Sequence, residues 1–106
     1  MKKVNIYEPA MCCSTGLCGV SIDPELLRIS TTIDRLKKQD FIVERFNLTS
    51  EPTEFMKNTV VNDYINEKGV EELPITIVDG EIFKIGKYPT NEEFADIFGI
   101  PSETLE

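Results

Sequence analysis

The stretch LPITIVDGEIFKI, residues 73–85, decides the fold of this chain. Two runs rich in β-branched and aromatic residues flank Asp79-Gly80, a pair typical of a two-residue hairpin turn. The sequence therefore predicts two antiparallel strands, which the chain enters directly after Leu73-Pro74.

Two further strands are predicted upstream of this hairpin. Residues 3–7 alternate polar and apolar side chains, and residues 41–48 form a second apolar-rich run. In the second run Phe41, Val43 and Arg45 are expected on one face of the strand, and Ile42, Glu44 and Phe46 on the other. Parallel pairing of these two strands requires a crossover between them, which is usually a right-handed helical one.

Three helical regions complete the pattern. Asp23-Pro24-Glu25 is typical of a helix start, and an apolar stripe follows it as far as Lys37-Lys38. A second helical region opens at Pro52 and closes at Gly69. A third covers residues 91–98, with Asn91 as the expected N-cap. The side chains expected to be buried in the second region are Phe55, Val60, Val61, Tyr64 and Ile65.

The resulting order, β-α-β-α-β-β-α, predicts an α/β fold with a four-stranded mixed sheet flanked by helices. It is the order of the thioredoxin fold, so we expect residues 1–106 to form a single thioredoxin-like domain. In that fold the loop after the first strand carries the reactive thiols. A proline before the third strand, typically cis, faces them. The corresponding features here are a cysteine loop at residues 8–22 and Pro74.

The overall composition narrows the classes of function. Eleven basic and nineteen acidic side chains give a net charge of −8, which argues against binding to nucleic-acid phosphates. No apolar stretch reaches membrane-spanning length, and the N-terminus lacks the apolar core of a signal peptide. We therefore expect a cytoplasmic protein without membrane insertion, whose cysteines persist as thiols.

All three cysteines, Cys12, Cys13 and Cys18, lie within seven residues, and the chain has no histidine. A disulfide would leave one cysteine over, and buried cysteines do not usually cluster in a glycine-containing loop. A redox role remains an alternative, since a helix N-terminus follows the loop, but the CxxC spacing of thioredoxins is absent. Structural zinc and iron–sulfur clusters normally require four ligands.

Three sulfurs suit a soft, three-coordinate ion better than they suit a tetrahedral metal. As(III) and Sb(III) prefer three sulfurs in a pyramid, and thiolates match their softness. Gly16 and Gly19 can adopt backbone conformations closed to other residues, which would let a short loop fold around one ion. The residues thus favour a metalloid site formed by the three cysteines, with Gly16, Gly19 and Pro74 in support.

The stretch PAMCCSTGLCG at residues 9–19, followed by Asp23-Pro24-Glu25-Leu26, resembles the signature of the ArsD family of arsenical-resistance operons. The resemblance continues over nearly the whole chain. Its further segments are residues 44–48, Leu73-Pro74, residues 78–81, residues 86–89 and residues 98–101.

This resemblance implies a non-enzymatic arsenic metallochaperone that takes As(III) or Sb(III) as transported ligand and needs no permanent cofactor. The ligands would be Cys12, Cys13 and Cys18, and the partner an arsenite-efflux ATPase. The family is also described as a metalloid-responsive transcriptional repressor, so a homodimer bound to operator DNA is the second hypothesis. A thioredoxin-like oxidoreductase is the third.

Overall fold

The computed structural model describes residues 3–9 and 24–105, which form one four-stranded sheet with helices packed on it. The predicted α/β class is confirmed. The elements in chain order are β1 (Lys3–Glu8), α1 (Pro24–Lys38), β2 (Ile42–Asn47), α2 (Pro52–Lys57), α3 (Thr59–Lys68), a 3-10 turn (Val70–Glu72), β3 (Ile75–Val78), β4 (Glu81–Ile85), α4 (Asn91–Phe98) and a second 3-10 turn (Ser102–Leu105).

The sheet is mixed, with the strand order β2-β1-β3-β4. β1 pairs with β2 in parallel, as the helical crossover requires, and places Ile6 opposite Arg45. β3 runs antiparallel to both β1 and β4. Among the described strands, β1 and β3 occupy the centre of the sheet, so the chain that follows Glu8 leaves from a central strand.

Apolar side chains cover both faces of the sheet because successive residues of a strand point to opposite sides. Val4 and Ile6 of β1 pack with α1 and α4 on one face, whereas Tyr7 packs with Phe55 and Val61 on the other. α1 contributes Ile29, Ile33 and Leu36 at the predicted helical spacing. α1 and α4 therefore cover one face of the sheet, and α2 and α3 cover the other.

The hairpin that decides the fold is present as predicted. Asp79 and Gly80 have φ angles of 51° and 88°, as a type I′ turn requires. The Leu73–Pro74 peptide bond is cis, which confirms the expectation for the proline before the third strand. Strand pairing shifts register between Thr76 and Ile77, so Phe83 is an extra residue in β4.

The second helical region differs from the prediction, because it is divided into α2 and α3. Asn58 separates them: its side-chain oxygen accepts hydrogen bonds from the backbone N–H groups of Val60 and Val61 and so caps α3. Val60, predicted to be buried, is 40% exposed, since it lies in the first turn of the new helix. Gly69 ends α3 as expected.

The start of α4 also differs from the prediction. Thr90, and not Asn91, is the N-cap: the Thr90 hydroxyl accepts a hydrogen bond from the Glu93 N–H, and the Glu93 carboxylate accepts one from the Thr90 N–H. The Asn91 side chain is thereby left to contact other elements.

α1 begins at Pro24, and its predicted cap, Asp23, lies outside the described residues. Within the described ranges, no helix is long and apolar enough to cross a bilayer.

Candidate functional site

The predicted site residues are only partly covered by the structure. Pro74 is buried, follows a cis bond and lines a cleft of about 490 Å³ together with Glu25 and Tyr88. The predicted ligands Cys12, Cys13 and Cys18, with Gly16 and Gly19, lie outside the described residues and remain predictions. The described residues define the two flanks of the cysteine segment, which are the end of β1 before it and the start of α1 after it.

The flank before the cysteines ends in a buried carboxylate. Glu8, the last residue of β1, has no exposed surface. Burial of an ionised carboxylate is costly unless it is paired and hydrogen-bonded. Its partners are therefore required by the fold, and they lie on distant parts of the chain.

The first partner is Arg45 of β2. Its Nε and Nη2 atoms donate to the two carboxylate oxygens of Glu8 at 3.0 and 2.6 Å and so form a bidentate ion pair. Arg45 reaches Glu8 because it lies opposite Ile6, and Ile6 and Glu8 share one face of β1. The side chain of Arg45 is 11% exposed, so this pair is largely removed from solvent.

The second partner is Tyr88, whose hydroxyl donates to the Glu8 carboxylate at 2.6 Å. Burial raises the pKa of Tyr88, and its hydrogen bond to the negatively charged Glu8 raises that pKa further. The hydroxyl therefore keeps its proton and remains a donor. Glu8 thus receives three charge-assisted hydrogen bonds from two side chains.

Arg45 also contacts the other flank. Its Nη1 atom donates to the hydroxyl of Ser30 in α1 at 2.9 Å. One guanidinium therefore joins the strand before the cysteines to the helix after them. We call the four side chains Glu8, Arg45, Tyr88 and Ser30 the Glu8 network.

A second connection between the flanks runs through residues 88–91. Arg28 of α1 donates to the carbonyl oxygen of Pro89 at 3.0 Å and to the Asn91 side-chain oxygen at 2.9 Å. Thr32, one turn further along α1, donates to the same Asn91 oxygen at 2.7 Å. The turn that carries Tyr88 to Glu8 is therefore also fixed to α1.

At the N-terminus of α1, Arg28 contacts a further charged group, Glu25, by an ion pair across one helical turn. This hydrogen-bonded pairing with Arg28 lowers the pKa of Glu25.

Across residues 3–9 and 24–105, no group of three or more acidic or other metal-binding side chains is arranged to hold a metal ion. The described residues therefore hold the two flanks of the cysteine segment in place through hydrogen bonds.

The sequence pattern predicts Arg45 on the same face as Val43 but predicts no partner for it. Glu8, predicted as the first residue of the cysteine loop, is the last residue of β1. An arginine at an inward-facing position of a strand was the available signal, because a buried cation requires a buried anion nearby. The signal for Tyr88 was weaker, since its turn is 80 residues from Glu8 in the chain.

Comparison with known proteins supplies the context for these contacts. A family model described as "Arsenical resistance operon protein ArsD" matches residues 1–106. A protein of Escherichia coli, "Arsenical resistance operon trans-acting repressor ArsD", is 44% identical over 105 residues, covering 99% of this chain and 88% of its own length. A second Escherichia coli protein of the same description is 41% identical with the same coverage.

A more distant relative and a solved structure agree with these matches. A protein of Halobacterium salinarum, "Putative arsenical resistance operon repressor ArsD", is 37% identical and covers 92% of each chain. The crystal structure of an "Arsenical Resistance Operon Trans-acting Repressor" from Bacteroides vulgatus superposes with a TM-score of 0.91. It is 50% identical and covers 95% of each chain.

Proposed function

The chain belongs to the ArsD family of arsenical resistance operon proteins, and on this premise we propose that it is a metalloid carrier. Cys12, Cys13 and Cys18 bind As(III) or Sb(III) as three thiolates, and the protein passes the ion to an arsenite-efflux ATPase in the cytoplasm. The observation that carries this proposal is the presence of three cysteines within seven residues in a chain without histidine.

The binding reaction is a ligand exchange at trivalent arsenic. Arsenite enters as the neutral hydroxide As(OH)₃. Each As–O bond is replaced by an As–S bond, and the thiol proton leaves with the hydroxide as water. Three exchanges yield one arsenic bound by three sulfurs and three water molecules. Arsenic remains trivalent, so the step requires no oxidant or reductant.

Delivery is a thiol-for-thiol exchange, in which each incoming thiol of the partner gives its proton to the carrier sulfur that leaves. Thiols of the partner displace the sulfurs of the carrier one at a time, and the ion remains bound to at least one sulfur throughout. In this proposal the carrier is non-enzymatic, because it hands the ion on without converting a substrate into a product, and the arsenic leaves in the oxidation state in which it arrived. The position of the cysteines after a central strand supports this proposal, since both flanks of the segment are held by the Glu8 network.

A titration of the reduced protein with arsenite tests the binding step. We expect one arsenic per chain with three As–S bonds by X-ray absorption, and loss of the third bond in Cys18→Ser. Ser14→Ala is the matched control in the same segment and should bind as the original chain does. Unchanged affinity in Cys18→Ser would contradict the three-sulfur site.

Transfer needs a separate experiment. The arsenic-loaded protein is mixed with the purified efflux ATPase in the presence of excess small dithiol chelator. We expect arsenite-dependent ATP hydrolysis to persist, because transfer between bound thiols does not pass through free arsenite. If the chelator abolishes activation as fully as it does with free arsenite, the carrier role is wrong.

A second candidate function is a metalloid-responsive repressor that binds operator DNA as a homodimer. The names of the relatives favour it, since the two Escherichia coli proteins and the Bacteroides vulgatus structure are described as trans-acting repressors. The net charge of −8 opposes phosphate binding, so any such affinity must come from a local surface. Fluorescence anisotropy with promoter DNA of the operon tests it: binding that arsenite reverses supports repression, and no binding at high protein concentration excludes it.

A further inference from the structure

The two flanks of the cysteine segment are joined twice by side chains outside it. Arg45 contacts Glu8 before the segment and Ser30 after it. The turn at residues 88–91 does the same, since Tyr88 contacts Glu8 while Pro89 and Asn91 accept hydrogen bonds from Arg28. These contacts come from separate strands and turns and converge at the same two flanks.

The contacts are buried more deeply than a surface brace would be. Glu8 is fully buried, Tyr88 is 8% exposed and the side chain of Arg45 is 11% exposed. Hydrogen bonds that are buried away from solvent hold their groups in one geometry, whereas exposed ion pairs contribute little to stability. The Glu8 network therefore adds fixed side-chain contacts to the strand pairing and core packing that hold the end of β1 and α1 together.

The distance between the flanks is expected to affect binding of an ion by three sulfurs more than binding by two. Cys12 and Cys13 are adjacent in the chain, so one arsenic can bridge them whatever the flanks do. Cys18 is five residues further on, and its approach to the same ion requires closure of a loop. Holding the ends of the segment reduces the entropy lost in that closure.

We infer that Arg45 and Tyr88 are positioning residues for three-sulfur binding: by fixing both flanks of the cysteine segment they favour addition of the third thiolate. This inference rests on the proposed metalloid site. It assigns to the Glu8 network a role in affinity that is separate from its role in stability.

The test compares two arsenicals that differ in the number of sulfurs they bind. Arsenite takes three thiols, whereas phenylarsine oxide takes two and releases one water molecule. The variants are Tyr88→Phe, which removes a hydrogen bond to Glu8, and Ser30→Ala, which disconnects Arg45 from α1. Circular dichroism establishes that each variant is folded at the temperature of the titrations.

Each variant has a matched control. Thr31→Ala removes a neighbouring hydroxyl of α1 that, among the described residues, donates within the helix to the carbonyl of Leu27. Ile97→Val removes a buried methyl group from α4 without altering the Glu8 network. Ser30→Ala is informative even if Tyr88→Phe is poorly folded, because alanine is a favourable helix residue.

We expect Tyr88→Phe to raise the Kd for arsenite about tenfold and Ser30→Ala about threefold, as loss of one charge-assisted hydrogen bond allows. The Kd for phenylarsine oxide should stay within about twofold, since a factor of two is a small free-energy change. Both controls should match the original chain with both arsenicals.

Several outcomes would overturn the inference. Arsenite binding that is unchanged in both Tyr88→Phe and Ser30→Ala shows that the flanks do not control the third sulfur. An equal loss of affinity for both arsenicals indicates a general defect in folding or binding and contradicts a specific role in adding the third sulfur. If the original chain does not bind arsenite through three sulfurs, the proposed function fails and this inference fails with it, whereas a three-sulfur site insensitive to both variants contradicts the inference alone.

Discussion

Arg45 holds the carboxylate of Glu8 with two hydrogen bonds of 3.0 and 2.6 Å at the point where β1 ends. Glu8 is completely buried, so it has no solvent to replace a lost partner. The pair joins the two neighbouring parallel strands on the face that α1 covers. Its removal therefore has consequences for both the fold and the flanks of the cysteine segment.

Arg45→Met should be strongly destabilising because it leaves a buried carboxylate without its cationic partner. We expect a loss of about 3–5 kcal/mol in the free energy of unfolding. Urea denaturation monitored by circular dichroism measures it. Lys3→Met is the control, because the Lys3–Glu44 pair is about half exposed and should contribute no more than about 1 kcal/mol. Equal losses in the two variants would contradict the assigned burial.

Tyr88→Phe removes one donor to a charged acceptor and should cost about 1.5–3 kcal/mol at neutral pH. The raised pKa of Tyr88 adds a pH dependence. Above its ordinary value of 10.0 the unfolded chain loses the phenolic proton while the folded chain keeps it, so stability falls as pH rises.

The stability difference between the original chain and Tyr88→Phe should accordingly shrink from pH 9 to pH 11, on either side of the ordinary tyrosine pKa of about 10. Urea denaturation at the two pH values measures this change. A difference that stays constant over the range would show that Tyr88 ionises in the folded protein.

Lys84→Met tests the ion pair between β4 and α4, in which Lys84 contacts Glu93 at 2.6 Å. The hydrogen bond from Lys84 lowers the pKa of Glu93, so the stabilisation is present above the ordinary glutamate value of 4.5 and is lost as pH falls below it. Both side chains are about one-third exposed, so we expect a cost of about 0.5–1 kcal/mol at pH 7.

That cost should be smaller at pH 3 than at pH 7, because pH 3 lies below the ordinary glutamate value of 4.5 and the unfolded chain is then protonated at this position. Denaturation at the two pH values decides the matter. Lys57→Met, which affects a more exposed pair with Glu54, is the control and should change stability less at pH 7. A cost for Lys84→Met that persists in acid would have to come from lost packing and not from charge.

Thr90→Ala should remove the cap of α4 and cost about 1 kcal/mol. The Thr90 hydroxyl accepts the Glu93 N–H, and alanine leaves that donor without its partner. Thr90→Ser keeps the oxygen and should retain most of the stability. Thermal unfolding compares the three proteins, and a serine variant as unstable as the alanine variant would show that the methyl group of Thr90 matters more than its cap.

Local patterns in the sequence were sufficient for much of the fold. Asp79-Gly80 predicts its turn because both positions need positive φ, and Pro74 predicts a cis bond once the order of elements is known. Asn58 was missed because the apolar pattern on either side of it reads as one helix. A capping asparagine ahead of a new helical turn was the available signal.

The cysteine site stays a prediction that rests on the chemistry of its residues alone. The cysteines indicate a soft ion by their number and spacing, and no knowledge of the fold is needed for that step. The Glu8 network was not predictable, because it depends on pairing between strands and on a turn far along the chain. Glu8 looked like the first residue of a loop, and only the position of Arg45 opposite Ile6 explains its burial.

The hydrogen bond between Glu8 and Tyr88 has a consequence for the order of events during synthesis. Its two residues are separated by 80 positions, so a nascent chain exposes its cysteines long before Tyr88 has left the ribosome. During that interval Glu8 is hydrated, and its final surroundings do not yet exist. The finished geometry at both flanks is acquired only after the turn at residues 88–91 has been made and has docked, so the proposed metalloid site gains its mature flanks only at that stage of synthesis.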